Sequence, residues 1–245
     1  MNLLEVQGLR KTYPAFRLED VSFSVPEGAV MGLIGRNGAG KSTTLKSILG
    51  LVHPDAGRVE MFGREFSENE RYIKENIGVV LGGIDFYPKK KVRTITDVTR
   101  RFYSNWQEEK YRHYLDLFAI DENKRVDQLS SGMRVKYLLA LALSHNAQLL
   151  ILDEPTSGLD PVSRDELTEL LRRIAADGTR SVLFSTHITS DLEKCASHIT
   201  FIQEGRLQRS DTLAGFMAHY ADLGSTPEEI IVAAERRPYD ADAII

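Results

Sequence analysis

The sequence holds a single cysteine, Cys195, so neither an intramolecular disulfide nor a cysteine-rich zinc site can form. One thiol suits a reducing compartment. Long apolar runs are missing too. The most apolar stretch, Tyr137 to Leu143, is soon interrupted by Ser144, His145 and Asn146. A membrane-spanning helix needs about 20 apolar residues, so the chain is not expected to cross a bilayer and any membrane role falls to a partner. Met1-Asn2-Leu3-Leu4-Glu5 has no basic leader before an apolar stretch, and no signal peptide is expected. Excess positive charge is also absent: Lys and Arg number 31 against 35 Asp and Glu, a formal net charge of −4. That argues against a general nucleic-acid-binding surface. His53, His113, His145, His198 and His219 show no metal-ligand spacing. There is no internal repeat and no low-complexity segment.

What remains is ordinary globular composition, 42% hydrophobic and 27% charged, which excludes a disordered chain. At 245 residues, one α/β domain, or one domain with a smaller subdomain, is the prior. Leu3 to Val6 and Leu18 to Val25 read as strands with partial alternation. Ala29 to Ile34, Leu149 to Leu152 and Ser181 to Ser185 are continuous runs expected of strands buried on both faces. Val59 to Gly63 reads as a further strand, and Ile199 to Ile202 with Gly205 to Leu207 as a closing hairpin. Helices are expected at Lys41 to Gly50 and at Asp165 to Ala176, where Leu167, Leu170, Leu171 and Ile174 recur with helical period. Between about residues 94 and 145 the pattern turns helical: Thr96 to Tyr103, Gln107 to Phe118 and Ser131 to Ser144 form a helical insertion in an α/β core.

Two motifs carry chemistry. Gly35-Arg36-Asn37-Gly38-Ala39-Gly40-Lys41-Ser42 fits the G-x-x-x-x-G-K-[ST] phosphate loop, after a buried strand and before a helix. Its glycines let backbone N–H groups turn inward on phosphate oxygens, and the helix beginning near Gly40 adds its positive N-terminus. Lys41 is expected to reach the β- and γ-phosphates and Ser42 to hold Mg²⁺. The second motif is an apolar strand, Leu149 to Leu152, ending in Asp153-Glu154-Pro155. Asp153 is the magnesium partner expected of a P-loop NTPase. Glu154 stands where a carboxylate can polarise an attacking water.

With these in place the chain resembles the ATP-binding cassette (ABC) ATPases. Leu129-Ser130-Ser131-Gly132-Met133 resembles the ABC signature and precedes the acidic strand. Ser157-Gly158-Leu159-Asp160 resembles the D-loop, and Thr186-His187 the switch histidine. Tyr13 matches the aromatic that stacks on adenine. The motifs run in order from Tyr13 to His187 and so cover most of the chain. The resemblance implies a P-loop NTPase with a RecA-like core, an antiparallel β subdomain and a helical subdomain. It implies an ATPase domain over residues 1–225, with a core of 1–81 and 146–210 and a helical subdomain of about 82–145, and a short helical tail over 211–245. It also implies Thr43 among the ATP-binding residues, with ATP and Mg²⁺ as cofactors. Two cassettes, identical or different, would meet head to tail. Ser130 and Gly132, with Ser131 and Met133 beside them, would face the γ-phosphate held by the partner copy, and Asp160 would couple the two sites. Glu154 would act as general base and His187 would touch the γ-phosphate. Integral membrane subunits are the implied partners, nucleic acid is not, and the implied place is cytoplasmic, peripheral at the inner face of the cell membrane.

The chain departs from the family pattern at three places. In the signature Ser131 replaces a glycine and Met133 a glutamine. The Q-loop glutamine is missing: Ile77 to Leu81 resembles the strand before it, which puts Gly82 at its position and leaves Asp85 as a nearby substitute. After about Thr212 nothing resembles a regulatory domain, and Phe216, Met217, Tyr220 and Leu223 have the spacing of a packed helix. The general form is most similar to bacterial exporter cassettes. A soluble ABC ATPase of an assembly complex, similar to the iron–sulfur assembly cassettes, is the alternative, and a P-loop kinase a third. Trp106 reads as packing and Lys89-Lys90-Lys91 as a solvated loop. The family docks its membrane partner on the segment from about Gly82 to Val98, where Phe86, Tyr87 and Ile95 are either exposed contacts or local core.

Overall fold

The computed structural model describes residues 1–81 and 87–236. Gly82, Asp85 and Phe86 lie outside the described residues, as does the end of the tail.

The chain opens with a long hairpin, β1 (Asn2–Tyr13) and β2 (Phe16–Pro26), then β3 (Val30–Ile34), the phosphate-loop segment and helix α1 (Lys41–Ile48). Strands β4 (Ala56–Met61) and β5 (Arg64–Glu65), helix α2 (Phe66–Asn76) and β6 (Ile77–Leu81) follow. A helical region comes next: α3 (Val92–Thr99), α4 (Glu108–Leu117) and α5 (Ser131–Ser144). The chain then returns through β7 (Leu149–Asp153), α6 (Pro161–Ala175), β8 (Ser181–Thr186) and α7 (Thr189–Cys195). It closes with β9 (His198–Gln203), β10 (Arg206–Thr212), α8 (Leu213–His219) and α9 (Pro227–Glu235).

The strands run β5-β4-β1-β2-β10-β9-β3-β8-β7-β6. β5, β4, β1 and β2 pair antiparallel, whereas β9, β3, β8, β7 and β6 pair parallel. Successive side chains of the parallel strands point to opposite faces. Val30 and Ile34 of β3, Leu150 and Leu152 of β7, and Val182 and Phe184 of β8 join one core with α5, α6 and α7. Met31, Leu33, Leu149, Ile151 and Leu183 join the other, with α1 and the antiparallel strands. Coverage of both faces is why these strands read as unbroken apolar runs. A third core ties α3, α4 and α5 together. At its centre the Thr96 hydroxyl lies 2.7 Å from that of Tyr111 and 2.9 Å from that of Tyr137, which donates to the Val92 carbonyl at 3.1 Å. Burial raises the Tyr111 phenol to about 12, and the Tyr137 phenol also upward. Both are therefore hydrogen-bond donors at any working pH.

Several elements differ from the expected ones: α3 starts at Val92 instead of Thr96, β10 runs on to Thr212, and four others show the physical reason. β1 runs on to Tyr13 because Thr12 and Tyr13 pair with Arg17 and Phe16 across a tight turn. This end of the ribbon is exposed on both faces, so no apolar alternation marks it. α2 buries only Ile73 and therefore shows no apolar stripe. α6 begins at Pro161, four residues before its first visible period, with Asp160 as its N-cap. α7 is short, but its Leu192 packs against Gly32 of β3, where an added Cβ would meet Leu192 at 2.0 Å. In the tail, Phe216 is buried, with Met217 and Tyr220 packed on the same core. Leu223 is exposed and leaves that stripe. Ile95 is core, Tyr87 is exposed, and Trp106 packs on Tyr111 while donating to Glu108.

Candidate active site

The phosphate loop turns between β3 and α1. Gly35 passes so close to β9 that an added Cβ would meet the Ile202 carbonyl oxygen at 2.1 Å. Gly40 caps α1 with φ 114°, a region that favours glycine. The turn is closed by the Ala39 N–H donating to the Arg36 carbonyl at 3.0 Å and anchored by the Gly205 N–H donating to Ala39 at 2.9 Å. Lys41, nearly buried, donates from Nζ to the Gly35 carbonyl at 2.7 Å and to that of Arg36 at 3.3 Å.

The end of β7 meets this loop. Ser42 Oγ donates to Asp153 Oδ1 at 3.1 Å, and Ser185 Oγ of β8 donates to the same oxygen at 2.6 Å. The next residue, Glu154, has φ 50°, an unusual state for a side chain of this size. Its N–H donates to Ser185 Oγ at 2.9 Å. The strained turn aims the carboxylate back over the loop. Oε1 lies 3.2 Å from Lys41 Nζ, and Oε2 accepts from His187 Nδ1 at 2.7 Å. Lysine, glutamate and histidine thus form one chain of polar contacts.

The phosphate loop, Glu154 and His187 share one cleft of about 680 Å³, with Asp153 behind Ser42. Arg36, Asn37, Gly38, Gly40, Lys41, Ser42 and Thr43 line one wall, Glu154 and His187 another. Tyr13, at the tip of β1 and half exposed, stands at the mouth with Phe16. Gly35 and Ala39 stay behind the loop as its support. The cleft's size suits a small-molecule ligand. The hydroxyl of Ser42 and carboxylate of Asp153 are hard oxygen donors of the kind Mg²⁺ takes, alongside phosphates and water. No group of three or more His, Cys, Asp or Glu side chains placed to hold a metal ion occurs among the described residues.

The signature residues lie elsewhere. Ser130 caps α5, its Oγ accepting from the Met133 N–H at 3.2 Å. Ser131 Oγ donates to the Gly158 carbonyl at 3.4 Å, and Gly132 abuts Ser163 of α6. Asp160 caps α6 by accepting from the N–H groups of Val162 and Ser163, each at 3.0 Å. The Ser163 hydroxyl, then the Ser163 N–H, holds the Asp160 carboxyl below its ordinary range. Two helix N-termini therefore stand side by side, and none of Ser130, Ser131, Gly132, Met133 or Asp160 lines the cleft.

Sequence reasoning missed two supports. Ser185 serves both acids of the β7 end. Asp191 of α7, fully buried, accepts from Thr156 Oγ1 at 2.6 Å and ties the segment after His187 to the turn after Glu154. Burial raises its carboxyl above the usual range. The Thr186-His187 resemblance pointed to this corner, but only the fold shows that α7 packs under it.

The profile of the ABC transporter family matches residues 18–157. The chain belongs to the ABC transporter family. It is an ATP-binding cassette and an ATPase. It is 32% identical over 208 residues to the bacitracin transport ATP-binding protein BcrA of Bacillus licheniformis, covering 84% of this chain and 68% of that protein. It is 39% identical over 191 residues to the Nod factor export ATP-binding protein I of Burkholderia orbicola, covering 76% and 62%. The cassette therefore spans roughly two thirds of the length of these relatives. A solved ATP-binding subunit of an ABC transporter superposes with a TM-score of 0.84 at 28% identity, covering 96% of this chain and all of that one. A cassette solved as a dimer in a post-hydrolysis state with ADP and Pi shares the fold, with a TM-score of 0.75 at 21% identity over 86% and 98% of the two chains. No helix among the described residues is long and apolar enough to cross a membrane.

Proposed function

We propose that this chain powers an ABC exporter as one of two cassettes that bind ATP head to tail. The observation that carries the reading is the separation of two half-sites. The phosphate loop, Glu154 and His187 share a cleft, with Asp153 bonded to its Ser42, whereas Ser130 to Met133 and Asp160 stand outside it. A second cassette, the same or a different chain, completes the site by laying its signature helix, positive N-terminus first, on the γ-phosphate.

The chemistry follows from the residues. Tyr13 stacks on adenine. The N–H groups of the loop and Lys41 hold the phosphates, while Ser42 and Asp153 would hold Mg²⁺, which would supply positive charge to the phosphate oxygens. Glu154 accepts a proton from the attacking water. A new O–P bond forms at the γ-phosphate, the β–γ bridge breaks, and ADP and phosphate leave. His187, held by Glu154, touches the γ-phosphate. Loss of the γ-phosphate releases the partner signature, and Asp160 couples the two sites. In this reading residues 1–81 and 146–210 form the catalytic core, about 82–145 the helical subdomain that meets a membrane partner, and 211–245 a short tail. The protein works at the inner face of the cell membrane.

The names of the relatives above favour transport, and export in particular, over a soluble assembly role. The test is purification of the chain from its native membrane with its partner. An integral membrane protein of several spans is expected to accompany it. A purely soluble partner would refute transport in favour of an assembly complex.

A further inference from the structure

Helix α9 is fixed to the core by Ile230 and Ile231 and, at its end, by Gln203 Nε2 donating to the Ala234 carbonyl at 3.1 Å. That anchoring presses the last helical residue, Glu235, against the back of the phosphate loop. Glu235 Oε1 accepts from the Arg36 N–H at 3.3 Å, and Oε2 lies 3.5 Å from Arg36 Nε. The Glu235 side chain is only 6% exposed, the Arg36 side chain 65%. Oε2 is buried with no hydrogen-bond partner among the described residues.

Packing alone does not call for a carboxylate here. A buried acid costs desolvation, and a negative charge at a helix C-terminus opposes the helix dipole. A glutamine would fill the same space with no charge to desolvate and none set against the dipole. Arg36 supplies the missing reason. It lines the nucleotide cleft and also a second cleft of about 340 Å³ that contains Glu235. Its carbonyl meanwhile accepts from Lys41 Nζ and from the Ala39 N–H. The residue is gripped on one side by the nucleotide loop and on the other by the tail.

We propose that Glu235 is a positioning residue for ATP binding: it holds Arg36 by main chain and side chain from behind the phosphate loop, so that the C-terminal helix helps to set nucleotide affinity. This rests on the reading of the loop as the ATP site. The phosphates and Glu235 compete for the same positive charges, Arg36 of the loop and Lys41 of α1. Glu204, in the turn after β9, adds negative charge on Glu235's own side. Burial raises the Glu235 carboxyl above its ordinary value, with Arg36 and Lys41 opposing and Glu204 assisting. ATP therefore binds more tightly when Glu235 is neutral, and affinity rises as pH falls through that raised value.

The test compares the full-length wild type with E235Q and E235A by equilibrium titration with ATP over a pH series from about pH 4, below the ordinary glutamate value, to about pH 8. E235Q keeps an acceptor for the Arg36 N–H but loses the charge. It is expected to bind ATP about threefold more tightly than wild type at the alkaline end, the size of a partly screened ion pair, and to converge with it at the acid end. E235A loses the acceptor as well and is expected to bind more weakly than E235Q. If E235A does not fold, wild type against E235Q still decides the matter. Parallel curves for wild type and E235Q, or a lower melting temperature in both variants with the wild-type pH dependence intact, would leave Glu235 as mere packing and overturn the proposal. A wild type that binds no ATP at any pH would overturn the nucleotide-site reading itself.

Discussion

Replacing Glu154 with glutamine separates binding from chemistry at this site. The change is isosteric and leaves the φ of 50° and the Ser185 contact to the residue 154 N–H as they are. What it removes is charge and basicity. In the wild type the two carboxylate oxygens serve two donors, Lys41 Nζ at 3.2 Å and His187 Nδ1 at 2.7 Å. An amide has one acceptor oxygen; with that oxygen on Lys41 its N–H₂ faces His187 Nδ1, and the second contact survives only in the tautomer whose Nδ1 accepts. Without a general base the hydrolysis step slows by about 10²–10⁴-fold, or about 2.7–5.4 kcal/mol at 1.36 kcal/mol per decade. ATP binding moves the other way. Lys41 is no longer committed to a carboxylate, and a pair of this kind is worth up to about 1 kcal/mol, so affinity is expected to hold or to rise by up to about fivefold. Phosphate release at saturating ATP reads the first effect and equilibrium titration the second. With ATP bound and not hydrolysed, the head-to-tail pair persists, and light scattering is expected to report a doubled mass. Turnover within tenfold of wild type would falsify Glu154 as the base, and weakened ATP binding would show that its pairing with Lys41 helps the nucleotide instead of competing with it.

Two further substitutions probe the loop and the helical region. Lys41→Ala removes the donor that bonds the Gly35 and Arg36 carbonyls and the charge that meets the phosphates. At about 1.5–3 kcal/mol for each charged hydrogen bond, ATP affinity is expected to fall by about two decades in a fluorescence titration; an unchanged Kd refutes the phosphate-loop role. Thr96→Val strands the buried Tyr111 hydroxyl, while Tyr137 keeps the Val92 carbonyl. The expected cost is about 1–3 kcal/mol, read calorimetrically as a fall in Tm of about 2–4 °C for each kcal/mol; an unshifted Tm means the hydroxyl cluster is not a clamp.

The parallel half of the fold was legible because burial on both faces writes itself as unbroken apolar runs. β3, β7 and β8 fall where Ala29 to Ile34, Leu149 to Leu152 and Ser181 to Ser185 read as buried strands. The elements that escaped are those that bury little. α2 contributes only Ile73, and the outer end of β1 is held by backbone pairing with β2, which leaves no mark on side-chain type. α6 extends beyond its apolar period for a related reason. Its first turn is fixed by the Asp160 cap and Pro161, not by an apolar period. Asp160-Pro161 is itself a helix-start signal, a side-chain cap followed by proline in the first turn.

The site shows a sharper division between what motifs encode and what they omit. A motif fixes residues close together in sequence, and the phosphate loop and the Asp153-Glu154 pair each needed only a short window. The contacts that hold these groups in place come from far along the chain: Ser185 across β8, Asp191 from α7, and Glu235 from the last described helix. Each of the three is an ordinary polar residue in sequence, with no spacing rule to single it out. Their common feature is burial of a polar group against the motif's backbone or side chains, a property that exists only after β9, β8 and α7 have folded around β3. Glu235 is the extreme case. The packed-helix spacing from Phe216 belongs to α8, whereas α9, which carries Glu235, packs through Ile230 and Ile231. The carboxylate that the same packing delivers to Arg36 carries no packing role of its own. A helix that buries apolar residues on the core and an acid on the phosphate loop links tail and loop mechanically, so a change at either end is felt at the other.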